Sequence, residues 1–490
     1  MNNHRLSKIL SEIAIYLEMD GDRFKPRAYE KVAEEIEALP EQVQAIYARG
    51  GSKSIENIPG VGLAIAEKIE ELLKTGKSAY HQELQKKFPV NLSELLSIGG
   101  LGPKKIKTLY ETLNIKNLVD LEIALKNQSI ANLKGFGVKS SENLLKGLRF
   151  IQKSAGRFSL GDAMPEARIL VENFRKITGV IKAEIVGSLR RFQETVGGID
   201  ILVVSNNPTV ALNHDSKLPV MVYVVPEKSY GAALNYLTGS KNHNIALQKI
   251  ALGKGLELNK NSLYKSEEEI YKILGMQYIP PELREMTGEI ELAQKNKLPN
   301  LIELKDLKGD LQTQTNWTDG QNSILEMASA AMKVGLEYIV ITDHTKRLAM
   351  THGLDERRIL EQIKEIKRLN LEFMAQHINF RILSGSECDI LKDGTLDLPD
   401  EILSQLDVVG ISVHSLFNLS RAEQTARIVK AMQNKHADIL FHPTGRLINK
   451  RPAYGIDIDE IIKVAAATGT VLEIDAFPDR LDLRAEHIRK

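Results

Sequence analysis

Gly187-Ser188-Leu189-Arg190-Arg191, followed by Gly197-Gly198-Ile199-Asp200, is the stretch on which the reading of this chain turns. Short apolar runs flank it, Ala183-Glu184-Ile185-Val186 before and Ile201-Leu202-Val203-Val204 after, and runs of this length bounded by glycine predict strands. A glycine-serine pair opening a helix offers backbone N–H groups to an anion, and Arg191 adds a guanidinium suited to phosphate. Alternate residues of a strand share one face, so a D-x-D pair here would aim two carboxylates at a common point. In this chain the first of the pair is Gly198, and only Asp200 is acidic.

Around that stretch lie 490 residues, enough for two to four folding units, each with its own core. The apolar fraction of 43% and the charged fraction of 26% are ordinary for a globular protein, and no run approaches the roughly 18 apolar residues of a spanning helix. The opening MNNHRLSKILSEIAIYLEMDGDRF reads as an amphipathic helix carrying acidic residues, which excludes a signal peptide. A cytoplasmic protein without a membrane partner is expected. The single cysteine, Cys388, allows neither an internal disulfide nor a thiolate metal cage. The net charge is +1, yet residues 1–160 hold 24 Lys/Arg against 19 Asp/Glu. An excess that small is compatible with a merely solvated surface, so nucleic-acid contact rests on motifs.

Three such motifs follow one another: Pro59-Gly60-Val61-Gly62, Gly100-Leu101-Gly102-Pro103-Lys104-Lys105 and Gly135-Phe136-Gly137-Val138-Lys139. Two glycines around one apolar residue make a tight hairpin that pins the apolar side chain inward and turns backbone N–H groups outward at a helix start. The pattern resembles the helix-hairpin-helix module, which holds the DNA backbone independently of sequence. By that resemblance Gly60, Gly62, Gly100, Gly102, Lys104, Gly135 and Gly137 contact DNA, and a hairpin could take a monovalent cation. Ahead of the first hairpin stands Arg23-Phe24-Lys25-Pro26-Arg27-Ala28-Tyr29, then a helix ending at Leu39-Pro40. This region is similar to the N-terminal lyase domain of family X DNA polymerases. The similarity implies a Schiff-base role for Lys68 in Ala66-Glu67-Lys68-Ile69, and a 5′-phosphate pocket including Lys25 and Tyr29. Ala64 stands where some relatives carry a further phosphate-binding lysine. The chemistry requires an uncharged amine, which burial or neighbouring cations favour.

The central stretch also resembles family X, through Gly231-Ala232-Ala233-Leu234-Asn235-Tyr236-Leu237-Thr238-Gly239-Ser240-Lys241-Asn242-His243-Asn244. The resemblance implies that Gly187, Ser188, Arg191, Tyr236, Thr238, Gly239, Ser240 and Asn244 contact a dNTP, and that Asp200 holds Mg²⁺ or Mn²⁺. The departures run one way. Gly198 and Met221 replace two of three carboxylates, while Tyr223, Gln248 and Lys260 stand where the family has Arg, Arg and Glu. Two-metal phosphoryl chemistry with one carboxylate loses several kcal/mol of transition-state stabilisation, which predicts lost or vestigial polymerisation.

Beyond Ile279-Pro280-Pro281-Glu282-Leu283-Arg284-Glu285 and a polar stretch to Asn300, apolar strands alternate with helices at 338–342, 381–384, 408–413, 439–442 and 471–474. Each strand ends in a polar group: His344 after Asp343, Glu387, His414, His442, and Glu473-Ile474-Asp475. Polar groups at successive strand ends are how a β/α barrel builds a site. The layout is similar to the PHP domain, a distorted barrel with a multinuclear metal site attached to many bacterial and archaeal family X polymerases as a 3′-5′ exonuclease or phosphoesterase. Here the opening D-x-H-x-H carries Gln312 and Gln314, and a late Asp-x-His strand does not occur before Lys490. The resemblance leaves Asp319, His344, Glu387, His414 and His442 to hold one Zn²⁺ or Mn²⁺.

The expected chain is therefore a multidomain α+β and α/β protein: a helical lyase-like domain over 1–85, a second hairpin region over 86–155, a nucleotidyltransferase palm with nucleotide-binding subdomain over 156–285, a linker over 286–304 and a PHP barrel over 305–490. It is expected to be a monomer that binds gapped, nicked or abasic DNA. Three readings stay open. The first has impaired polymerase and exonuclease centres with AP lyase chemistry at Lys68, the second a working polymerase and phosphoesterase, and the third a non-enzymatic DNA-end scaffold.

Overall fold

The computed structural model describes residues 3–39, 41–207, 216–348 and 351–490. Met1, Asn2 and Pro40, included above in the first two helices, lie outside the described residues. The chain forms two units, Met1–Ala155 and Gly156–Lys490.

The first unit is helical throughout and closes around one apolar core running from Leu6 to Leu148. Its construction follows from apolar spacing. In the helix Leu63–Thr75, Ile65, Ala66, Ile69 and Leu72 fall on one stripe and are all buried, and Gly76 stops the helix with a left-handed φ of 72°. The three glycine motifs adopt one turn: Val61 N donates to Ile58 O (3.0 Å), Leu101 N to Ile98 O (3.1 Å) and Phe136 N to Leu133 O (3.0 Å). Gly60, Gly100 and Gly135 take φ of 82°, 90° and 88°, a conformation that costs any residue with a Cβ.

In the second unit a three-stranded sheet has Ile199–Val204 at its centre, antiparallel to Lys182–Val186 and parallel to Val220–Val225. The helix Leu160–Arg175 covers it through Ala163, Ala167, Leu170, Val171 and Phe174. A helical group follows, Tyr230–Thr238, Lys241–Gly253 and Glu267–Leu274. The expected linker is packed structure over its first part. Glu289–Gln294 is a helix whose Ile290 and Ala293 enter the core of that helical group, because the segment is amphipathic and not simply polar.

The last portion is a curled sheet of six parallel strands, each paired with its successor in sequence: Gly309–Thr313, Tyr338–Ile341, Arg381–Asp389, Val408–Ser412, Ile439–Leu440 and Val471–Leu472. Strand–helix–strand repetition in one direction gathers the carboxyl ends of all the strands along one rim. Arg381–Asp389 is longer than expected, so Glu387 lies inside a strand, and His344 forms a parallel bridge with it. This sheet and the three-stranded one are joined by charge. Arg446 makes a two-pronged contact with Glu194 (3.0 and 2.7 Å), and Arg484 approaches the same carboxylate at 3.2 Å. No helix among the described residues is long and apolar enough to cross a membrane.

Candidate active sites and nucleic-acid interface

At each hairpin a glycine is the N-cap: Gly62 for Leu63–Thr75, Gly102 for Pro103–Leu113 and Gly137 for Val138–Ser154. None supplies a side-chain cap, so the first amides of these helices are open to an external anion. Val61 and Leu101 are buried and Phe136 is half-buried, which anchors each turn. Lys104 is exposed on the helix behind the second hairpin, while Lys105 Nζ sits on Gly100 O (3.0 Å). At this hairpin an ammonium already occupies a carbonyl that a monovalent cation would use.

Lys68 projects from the helix behind the first hairpin, its side chain 27% exposed, with Nζ 5.7 Å from the ring centre of Tyr80 and 4.0 Å from Glu67 Oε2. Tyr80 stacks on Tyr29 (6.5 Å between rings), and burial pushes the Tyr29 phenol up to about 12. Lys68 and Tyr29 are thus brought to one locus through Tyr80, a residue that sequence reasoning missed because it lies on a later helix. Lys25 stands 65% exposed, 3.5 Å from Asp22 Oδ2, and Ala64 faces solvent.

In the three-stranded sheet Asp200 pairs in register with Met221, whose side chain is 56% exposed. The strand position of a second carboxylate therefore presents a thioether to the same face. Gly187, at φ 67°, lets Asp200 approach: a Cβ there would lie 2.4 Å from Asp200 Oδ2. Gly198 is equally constrained, since its Cβ would lie 2.6 Å from Pro219 O. Burial raises the Asp200 carboxyl above its usual range, with Arg191 opposing. Arg191 is itself engaged, Nε with Glu285 Oε1 (2.5 Å) and Nη1 with Thr238 O (2.7 Å). Ser188 is half-buried in the short helix beside it.

The Tyr236–Asn244 corner is tightly built. Asn244 Nδ2 donates to Tyr236 O (2.6 Å) and Gly239 O (3.2 Å), and Ser240 Oγ caps the next helix by accepting from His243 N (3.2 Å). Thr238 is buried and accepts from Arg190 Nη1 (2.6 Å), which also binds Glu267 (2.9 Å). Arg284, fully buried, joins the same carboxylate. Gln248 Nε2 turns inward to Leu258 O (3.2 Å).

The strand rim of the curled sheet gathers His344, Glu387 and His414, each offering a ligand atom within 4.8 Å of the others. Glu387 is the hub. His414 Nε2 lies 3.1 Å and His442 Nε2 2.8 Å from Oε1, while Gln314 Nε2 donates to Oε2 at 3.2 Å. Burial would raise this carboxyl, but hydrogen bonds from His414 and His442 outweigh it and hold it well below its usual range. His414 is opposed by burial yet pushed up to about 9 by Asp389 and Glu387, so a metal there competes with a proton. Asp319 reaches the group through His344 (3.6 Å), and His442 reaches it through Glu387 and by an edge-on ring contact with His414 (5.4 Å between ring centres). The five expected ligands therefore form a set of three, with two at its edges.

Two observations fit this trio to a divalent cation. Its imidazole and carboxylate donors are those that Zn²⁺ and Mn²⁺ accept, and His344 Nδ1 is buried without a hydrogen bond, 3.2 Å from Glu387 Oε2 but badly aligned. Asp389 and Glu473 were not among the expected site residues. Asp389 Oδ1 stands 3.4 Å from His414 Nδ1, and Glu473 accepts from His442 N (2.6 Å) with burial raising its carboxyl to about 9. Their alternation on strands beside the histidines was the available signal. His442 itself has a φ of 29°, a strained backbone for a residue other than glycine.

Comparison with known proteins finds three family models. A helix-hairpin-helix domain matches residues 1–78, a SAM-like helix-hairpin-helix tandem 92–149 and a DNA polymerase beta thumb 233–285. The chain is 38% identical over 525 aligned residues to the DNA polymerase/3′-5′ exonuclease PolX of Bacillus subtilis (strain 168), which covers 100% of this chain and 90% of that protein. A probable phosphatase of Thermoanaerobacter sp. (strain X514) is 32% identical over 159 residues, and one of Caldanaerobacter subterraneus subsp. tengcongensis is 30% identical over 162. Each covers 31% of this chain, and the chain spans 58% and 56% of their respective lengths.

Proposed function

Because the chain belongs to the family X DNA polymerases that carry a PHP domain, we propose that it binds gapped, nicked or abasic DNA in repair and retains lyase chemistry, while its polymerase and exonuclease centres are impaired. The observation that carries this reading is the contrast between the helical unit and the three-stranded sheet, each taken by itself. In support, the three hairpins share one turn and Lys68 stands beside Tyr80, whereas Asp200 faces Met221 and Gly198 lies too close to Pro219 for a side chain. The boundaries 1–85, 86–155, 156–285, 286–304 and 305–490 are proposed for the lyase-like, second hairpin, palm, connecting and PHP segments.

For binding, the uncapped helix starts at Gly62, Gly102 and Gly137 donate to backbone phosphates without reading bases. For lyase chemistry, Lys68 Nζ condenses with the C1′ aldehyde of an abasic sugar with loss of water, and β-elimination then breaks the C3′–O bond. The Tyr80 ring beside Nζ excludes water from one side. In the palm, a single half-buried carboxylate does not fit a two-cation site, and no step is assigned there. In the PHP segment His344, Glu387 and His414 would hold one Zn²⁺ or Mn²⁺, which when bound would supply charge neutralisation to a phosphoryl oxygen. His442 and Gln314 keep Glu387 oriented toward that point.

Borohydride trapping on an abasic-site duplex tests the lyase reading, with a covalent adduct expected and its loss in Lys68→Ala. Primer extension on gapped DNA with Mg²⁺ or Mn²⁺ tests the palm, and robust incorporation there would establish the working-enzyme alternative. Neither adduct nor extension, with gapped DNA still bound, would leave the scaffold.

A further inference from the structure

The first unit contains a cavity of about 360 Å³ between the helices Asn3–Asp20 and Ala79–Lys87, with neither Lys68 nor Tyr80 in its lining. Arg5, Lys8 and Glu12 line it from the helix Asn3–Asp20, where spacings of three and four put them on one face. Lys77, His81 and Gln82 line it from across. Successive residues of a helix project about 100° apart. Tyr80 accordingly turns to Lys68 and Tyr29, while His81 turns to this cavity and to Tyr16, whose ring centre is 6.0 Å away. Adjacent positions of one helix thus open to two different surroundings.

We propose that this cavity is a second anion site, which takes the phosphate of a nucleotide or sugar phosphate and is separate from the locus of Lys25, Tyr29 and Lys68. Two cations, Lys8 and Lys77, line it with a single carboxylate, Glu12, and Arg5, which has a partner of its own, stands at the same wall. Neither Lys8 nor Lys77 forms an ion pair among the described residues, so their charge is uncompensated. His81 Nε2 is buried and lies 3.0 Å from Glu12 Oε2 in an alignment that makes no hydrogen bond, which leaves the ring an unsatisfied nitrogen at the wall. Glu12 is thereby drawn toward His81, and the lysines are left to a ligand. The volume is at the small end of ligand sites, enough for a phosphate with its sugar. Apart from the His81 imidazole no aromatic ring lines it, so recognition goes through charge and the Gln82 amide and not through base stacking.

The source of the phosphate is either a free mononucleotide or the 5′ end of a DNA strand, and one experiment separates them. The full chain is used in a Lys25→Ala background, so that the 5′-phosphate pocket assigned by the family resemblance does not contribute. Inorganic phosphate and dAMP are titrated calorimetrically, and gapped duplexes bearing a 5′-phosphate or a 5′-hydroxyl are compared by fluorescence anisotropy. In Lys8→Ala/Lys77→Ala we expect an affinity loss of about tenfold or more, from two charge-assisted contacts. Loss in the calorimetric arm assigns free nucleotide, and loss confined to the 5′-phosphate preference assigns a DNA end. The control Lys53→Ala/Lys126→Ala removes the same charge elsewhere and should bind as the background does. The proposal is overturned if Lys8→Ala/Lys77→Ala matches the background in both arms, or if the control shows the same loss. Thermal melting of each variant confirms that the fold is kept.

Discussion

Removing the Glu194 carboxylate should uncouple the palm from the PHP sheet. Glu194 receives both terminal nitrogens of Arg446, whose side chain is only 8% exposed, and one of Arg484. In Glu194→Ala, Arg446 keeps only Leu481 O as a partner, so an almost buried guanidinium loses its counter-charge. Breaking one side of a buried pair costs about 3 kcal/mol. At about 2.1 cal/mol/K per residue, the unfolding entropy of the unit Gly156–Lys490 is about 0.7 kcal/mol/K, so the melting midpoint should fall by about 4 °C. Differential scanning calorimetry of Glu194→Ala, Arg446→Ala and the double variant gives both the shift and the coupling, expected near 2 kcal/mol. The pH dependence has a definite sign. Burial acts to raise the Glu194 carboxyl, but Arg446 and Arg484 hold it below its usual range. A depressed folded-state value stabilises above the unfolded value and is lost as pH falls through the folded one. The gap between wild type and Glu194→Ala should therefore be full at pH 7 and close below about pH 4. A midpoint shift under 1 °C at pH 7, or additive single variants, would refute the coupling.

Gly198→Asp should not restore polymerisation and should destabilise by about 1–3 kcal/mol, because its Cβ would meet Pro219 O at 2.6 Å; rescue of primer extension would contradict this. Metal analysis after dialysis should find one equivalent of Zn²⁺ or Mn²⁺, and Glu387→Gln should weaken it by more than about tenfold, since the hub of the trio loses its charge. Glu285→Gln should raise dNTP affinity by releasing Arg191, measured by equilibrium binding; unchanged affinity would show that Arg191 is not the limiting contact. Tyr80→Ala should lower the borohydride adduct yield without abolishing it, while Lys68→Ala abolishes it.

Local pattern made much of this fold legible. The glycine hairpins announce their own geometry, because only glycine takes φ near 85° cheaply, and the sequence spacing G-x-G carries the whole turn. Most strands of the two larger sheets are short apolar runs, Gly309–Thr313 being an exception, and the polar residues at the later strand ends lie along one rim of the curled sheet. Contacts between distant segments were invisible. Nothing near Arg191 shows that Glu285 will occupy it, nor near Tyr80 that it will stand over Lys68. The 286–304 segment was misread because its apolar residues are few, although Ile290 and Ala293 fall on one helix face. Asp389 has no motif of its own, and Glu473, although it stands at a strand end, is not singled out as a ligand by spacing; only the fold sets each beside a histidine.

The substitutions in the two proposed centres differ in physical kind, and that difference bears on what a reverting substitution would do. In the palm the loss is steric as well as chemical: Gly198 packs under Pro219, Met221 fills the paired position, and Glu285 holds Arg191. A carboxylate cannot return at position 198 without moving backbone. At the PHP rim the substitution is only chemical. Gln314 donates to Glu387 at 3.2 Å from the place where the family resemblance has a histidine, so the scaffold around the position is kept while an amide, a poor ligand, replaces an imidazole. Gln314→His should therefore add a ligand with little strain and raise the affinity for Zn²⁺ or Mn²⁺, read by metal titration, whereas Gly198→Asp should read as instability. If Gln314→His left metal affinity unchanged and lowered the melting midpoint as much as Gly198→Asp, the distinction between the two centres would fail.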